Sequence, residues 1–156
     1  MYKYHWLMIS AFLWVFSYSC GDADKPQAEI DEEKIQDYFK THGIDNAMST
    51  ETGLYYVIEN PGEGEHPTVN STVIMHYRGM TLDGNVFESS YDSGEPLNYS
   101  LSALIRGWQQ AVPLLGRGGK ATLYIPSGLA YGQRSPGPGI GPNEVLIFDV
   151  ELLDFQ

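Results

Sequence analysis

The spacing of apolar positions takes three characters along the chain. Trp6 to Phe16 form an almost unbroken apolar block, closed by Ser17-Tyr18-Ser19-Cys20. From Asp31 the pattern becomes helical. Ile35, Tyr38, Phe39 and His42 fall on one face, Glu32 and Glu33 suit the positive end of a helix, and Lys40 and His42 suit the negative end. Asp31 is the expected N-cap and Gly43 the expected stop. From Gly53 the helical period gives way to alternation, which predicts strands over Leu54–Glu59, Thr72–Thr81, Val86–Ser89, Leu97–Ser100, Ala121–Ile125 and Val145–Leu153.

The punctuation between these strands is equally readable. Asp83-Gly84 is a strong hairpin signal, Asn60-Pro61-Gly62 stops a strand, and residues 90–96 form a loop. One helix, opening near Ser102 and ending around Pro113 to Gly116, carries Trp108 beside Gly107. Ser127 to Tyr131 reads as a single helical turn, and Gln133 to Asn143 as an irregular loop rich in Gly and Pro. Five or six antiparallel strands and one short helix predict an α+β domain in which a curled sheet wraps around that helix.

The 156 residues allow one domain of ordinary size plus a tail, and 42% hydrophobic content supplies a core. A net charge of −11 argues against nucleic acid as a partner and against docking on anionic lipid, since both demand a basic patch. One cysteine excludes an internal disulfide. The opening apolar block is too short for a stable span; with Lys3 before it and small residues after it, the stretch reads as a secretory signal peptide. Because Cys20 follows directly on Ser19, residues 1–19 resemble a bacterial lipoprotein signal. That resemblance implies removal of 1–19, a diacylated Cys20 as the new amino terminus, and attachment to a bacterial membrane through lipid. Residues 20–48 then serve as tether and short helix, and 49–156 as the functional domain.

Few residues announce chemistry. Gly116 to Lys120 fails as a phosphate-binding loop, because Leu114 stands at the first Gly and Ala121 at the hydroxyl position. His5, His42, His66 and His76 have no metal-ligand spacing, and no Ser/His/Asp set is evident; His76, inside a strand pattern, reads as structural. What stands out is the supply of aromatics. Trp108 can floor a cavity, and Tyr77, Phe87, Tyr99, Tyr131 and Phe148 can converge on it if the strands pair around the helix.

Six stretches in order then carry a resemblance: Val73-Ile-Met-His-Tyr-Arg-Gly-Met80, Asp83-Gly84, Val86-Phe-Glu-Ser-Ser90, Ile105-Arg-Gly-Trp108, Leu129-Ala-Tyr-Gly132 and Leu146-Ile-Phe-Asp-Val-Glu-Leu152. Together they resemble the FKBP-type peptidyl-prolyl cis-trans isomerases, and the Gly94-Glu95-Pro96-Leu97 loop resembles their bacterial exported branch. The resemblance implies a site between helix and sheet that needs neither metal nor cofactor. Trp108 is its floor, Tyr77, Phe87 and Phe148 its walls, and Leu97, Leu104 and Ile105 its apolar edge. Tyr131 stands where a hydroxyl binds a substrate carbonyl, the Ile105 N–H is a second donor, and Ile140 lies on the flap. Glu88 takes the place of the family's usual Asp and Leu97 that of a common Phe, while Pro136 and Gly139 alter the flap. These departures bear on ligand affinity and preference. The implied partners are proline-containing unfolded or exported polypeptides and macrolide inhibitors. A non-catalytic chaperone, or an envelope lipoprotein of a motility or secretion assembly, are the other readings.

Overall fold

A computed structural model describes residues 25–156. The expected leader, Cys20 and the first part of the tether lie outside the described residues. The chain runs α1 (Gln27–His42), β1 (Met48–Ser49), β2 (Tyr55–Asn60), β3 (Thr72–Thr81), β4 (Val86–Ser89), α2 (Ser90–Ser93), β5 (Leu97–Ser100), α3 (Arg106–Ala111), β6 (Gly119–Ile125) and β7 (Leu146–Phe155). Every strand pairing is antiparallel, in the order β1-β2-β6-β7-β3-β4. β5 also pairs with β3, along Thr72–Met75, ahead of the Arg78–Met80 stretch taken by β4. Among the described residues no helix is long and apolar enough to cross a membrane.

Period-two alternation decides what each strand shows to each side. On the inner face Leu123 and Ile125 of β6 and Leu146, Phe148, Val150 and Leu152 of β7 join Val73, Met75, Trp108, Ala111 and Val112 in the main core. On the outer face Tyr124 and Ile147 join Val145 in a second core closed by Ile35 and Phe39 of α1. The Phe39 ring meets Tyr124 edge-on at 4.8 Å and Tyr55 at 5.3 Å. The predicted docking face of the first helix is therefore the one used. Tyr38, beside it, packs on Tyr124 and stacks on His42.

Four local features differ from the sequence-based expectation. α1 opens at Gln27, where the Pro26 carbonyl accepts from the Glu29 and Ile30 N–H groups. Proline suits that end because no N–H is needed there. Asp31 is thus not a cap but a buried residue within the helix. α3 opens at Arg106 rather than near Ser102: Leu101–Ala103 make a separate 3-10 turn, and extended backbone at Leu104 and Ile105 breaks it from the helix. Ser102 spends its hydroxyl on Ser100 instead of on a cap. The 90–96 loop contains the single turn α2, and the two-residue β1 adds a seventh strand. The Asp83-Gly84 turn is formed as predicted, with Gly84 at φ +80° donating to the Thr81 carbonyl.

Two outcomes follow from the outer core. Ile35 is completely buried, so Ile35→Ala should cost about 2–5 kcal/mol of stability, read from denaturant unfolding of the full chain. Burial, the Tyr38 phenol and the Asp149 and Glu59 carboxylates push the Tyr124 hydroxyl up to about 12. The fold thus favours the neutral phenol, while the unfolded chain ionises near pH 10. Stability from this group is intact below pH 10 and declines as pH rises from there to about 12. Urea titrations at stepped pH should show that decline, and Tyr124→Phe should make it shallower.

Candidate active site

The inner face leaves one apolar cavity of about 230 Å³ between α3 and the sheet. That is below the roughly 300 Å³ of a pocket for a drug-sized ligand, and suits one small ring with its adjoining amide. Its floor is Trp108, 3% exposed, met edge-on by Tyr77 at 5.2 Å and by Phe148 at 5.3 Å. Edge-to-face pairs of this kind are favoured by the ring quadrupoles. Leu97, Leu104 and Ile105 line one side, and Tyr99, Tyr131 and Glu88 reach the mouth.

Two glycines make the box possible. A Cβ on Gly79 of β3 would stand 2.5 Å from the Phe87 ring and 2.7 Å from that of Phe148, so both rings close over bare backbone. A Cβ on Gly107 would lie 2.6 Å from the Ile125 side chain, so α3 settles against β6 only without it. Phe87 itself does not line the cavity. It backs Phe148, ring edge to ring face at 5.7 Å, and lies under the flap at Gly139. Ile140 is also absent from the lining: it is turned into the main core, 8% exposed, and Ser135 at the flap's base donates to its carbonyl.

The polar groups at the mouth are few: the hydroxyls of Tyr77 and Tyr131 beside the Glu88 carboxylate. Burial, then the adjacent Glu88 carboxylate, push the Tyr77 phenol far above its usual range. Burial, followed by Glu88, also raises the Tyr131 phenol. Both therefore remain hydroxyl donors at neutral pH. The Ile105 N–H donates to no group among the described residues, although Ile105 caps α3 and its carbonyl accepts from Trp108 and Gln109. Gln109 braces that corner by donating to the Leu104 and Ser102 carbonyls at 2.7 and 3.2 Å. The Trp108 indole N–H is buried without a partner. Among the described residues no three His, Cys, Asp or Glu side chains are gathered to hold a metal.

The sequence reading named Tyr99 among the converging aromatics but gave it no role in the site; it joins the mouth while 52% exposed. It missed Ser90 altogether. The Ser90 hydroxyl is buried, accepts from the Tyr77 N–H at 2.8 Å, donates to the Tyr77 carbonyl at 3.2 Å, and lies 2.9 Å from His76 Nδ1. It fixes the backbone that carries Tyr77. The only signal was its place beside Ser89 in the Val86–Ser90 stretch, since nothing local reveals a partner thirteen residues back.

Comparison with known proteins places this geometry. A family model described as FKBP-type peptidyl-prolyl cis-trans isomerase matches residues 63–153. The chain is 43% identical over 130 residues to the probable FKBP-type peptidyl-prolyl cis-trans isomerase FkpA of Neisseria meningitidis, covering 83% of this chain and 48% of that protein. It is 41% identical over 120 residues to the FKBP-type 22 kDa peptidyl-prolyl cis-trans isomerase of Escherichia coli, covering 77% and 57%. The crystal structure of FkpA from Escherichia coli superposes with a TM-score of 0.73 at 40% identity, over 83% of this chain and 61% of that one. That of a peptidyl-prolyl cis-trans isomerase from Pseudomonas syringae does so with 0.70 at 28%, over 85% and 98%. The chain spans about half the length of the FkpA relatives it matches. By sequence and fold alike, it belongs to the FKBP-type peptidyl-prolyl cis-trans isomerases.

Proposed function

We propose that the protein catalyses cis-trans isomerisation of X–Pro bonds in unfolded or exported polypeptides at a bacterial cell envelope, held to a membrane by lipid on Cys20. The observation that carries the activity is the aromatic cavity floored by Trp108, with phenol donors at its rim. Amide resonance sets a rotation barrier of about 18–20 kcal/mol, and the two X–Pro ground states lie close in energy, so only the barrier has to fall. Twisting the bond removes resonance and draws charge off the amide. A water-poor aromatic box then binds the twisted form better than the planar one. The proline ring rests on Trp108 between Tyr77 and Phe148. The Tyr131 hydroxyl and the Ile105 N–H hold flanking carbonyls, and Leu97 and Leu104 form the apolar edge. Phe87 and Ile140 act from behind, the first as a buttress for Phe148 and the second as the anchor of the flap. The Glu88 carboxylate tunes the mouth rather than moving a proton.

The envelope assignment is supported by the leader and by the lone cysteine after it. The motility or secretion role would be compatible with the same catalytic domain. Macrolide inhibitors such as rapamycin should compete for the cavity.

The direct test is acceleration of cis-to-trans conversion in a proline-containing peptide. Phe148→Ala should lower kcat/KM by about tenfold or more, equivalent to at least about 1.4 kcal/mol of lost transition-state binding. Glu88→Asp should stay within about threefold of wild type and bind macrolide more tightly. Both comparisons require circular dichroism to show that the variants are folded. Wild-type protein that suppresses client aggregation without accelerating isomerisation would favour the chaperone reading instead. For the anchor, mass spectrometry of the mature protein should find a diacylated Cys20, and Cys20→Ser should lose membrane partitioning. An unmodified terminus at Gly21 or beyond would refute it.

A further inference from the structure

Asp31 of α1 lies outside the matched family segment, 1% exposed, with its carboxylate turned into the domain. Its Oδ2 accepts from both the Ser127 N–H, at 2.8 Å, and the Ser127 hydroxyl, at 2.7 Å, while Gln27 donates to Oδ1 at 2.7 Å. A buried carboxylate is costly unless its lone pairs are met, and here they are. Apolar docking of α1 is already supplied by Ile35 and Phe39. The Asp31 bonds thus hold something that the docking face does not reach.

What they hold is the first residue of the turn that presents Tyr131. The Ser127 carbonyl accepts from Ala130 and Gly132, the two neighbours of Tyr131, at 3.0 and 2.8 Å. The Gly132 carbonyl in turn accepts from Asn143, which closes the flap at 2.7 Å. Tyr131 is 36% exposed, so packing around its ring cannot by itself fix where the hydroxyl sits. The backbone of the turn must do so, and that backbone is pinned at Ser127. We infer that Asp31 is a positioning residue for the isomerase site: through Ser127 it sets the Tyr131 hydroxyl and the stem of the flap, making α1 a working part of the catalytic domain. The inference rests on the isomerase reading above.

The test is a double-mutant cycle on the full chain, with kcat/KM expressed per folded molecule. Asp31→Ala should lower kcat/KM by about three- to tenfold, the scale expected of a slightly misplaced binding group. In a Tyr131→Phe background the same change should cost less than about twofold, because the group it acts through is already gone. Asp31→Asn should restore activity to within about twofold of wild type, since an amide oxygen can take both Ser127 bonds while Gln27 turns its own oxygen inward. Ile35→Ala, which trims the apolar docking face and keeps the Asp31 carboxylate and both Ser127 bonds, should lower the melting temperature and leave kcat/KM per folded molecule unchanged. Folded Asp31→Ala with wild-type kcat/KM would overturn the inference, as would an equal loss in the Tyr131→Phe background. Should Asp31→Ala fail to fold, Ser127→Ala, which removes one of the two bonds, takes its place in the cycle with the same criteria. If the wild-type chain shows no isomerase activity, the functional reading alone fails. The hold on the turn is then judged by hydrogen exchange at the Ala130 and Gly132 amides. Protection should drop about tenfold on loss of the Asp31 carboxylate, and unchanged protection would refute the hold.

Discussion

The cavity depends on one packing event, the meeting of three aromatic rings, of which Phe148 lies over bare backbone at Gly79. Trp108 from α3, Tyr77 from β3 and Phe148 from β7 approach edge to face or tilted, so three elements contribute one ring each. The event is permitted by absences. Gly79 leaves room for the rings on the sheet side, and Gly107 lets the helix descend onto Ile125. Core packing tolerates little excess volume, so a single methyl at either position would push the rings apart. Stability and function are joined here. The contacts that close the core also shape the cavity, whose lining holds one carboxylate, Glu88 at the rim.

A sheet covered on both faces adds a second constraint. β6 and β7 give alternate residues to two cores, so Tyr124 and Ile147 serve the outer helix while Leu123 and Phe148 serve the site. Any slip of one residue in their pairing would exchange these sets. The helix that precedes the matched family segment thereby stabilises the register on which the cavity depends.

Much of this was legible in the sequence, and for different reasons. β3, β4 and β5 follow period-two alternation closed by strong turn residues, and their bounds coincide with those read from the chain. The cavity lining was not derivable from pattern alone; aromatic content pointed to a pocket, and the family resemblance supplied each residue's place. The misreadings share one cause. Asp31 has the composition of a cap, but its carboxylate is drawn to Ser127, ninety-six residues away. Ile140 sits on a loop that looked too irregular for the core and is buried in it. Local pattern records what a residue prefers, whereas these outcomes were decided by partners that only the folded chain supplies.

The Ser90 contact carries one more consequence. β5 leaves β3 after Met75 and β4 joins it only at Arg78, so the same edge of β3 has a gap opposite His76 and Tyr77. An exposed gap of that kind offers an unpaired N–H and C=O to the extended strand of any neighbouring molecule, which is how sheets recruit one another into aggregates. One buried hydroxyl satisfies both groups of Tyr77 at once. For a protein whose proposed clients are themselves unfolded chains, sealing that seam removes from β3, the strand that carries Tyr77, one place where an extended polypeptide could pair.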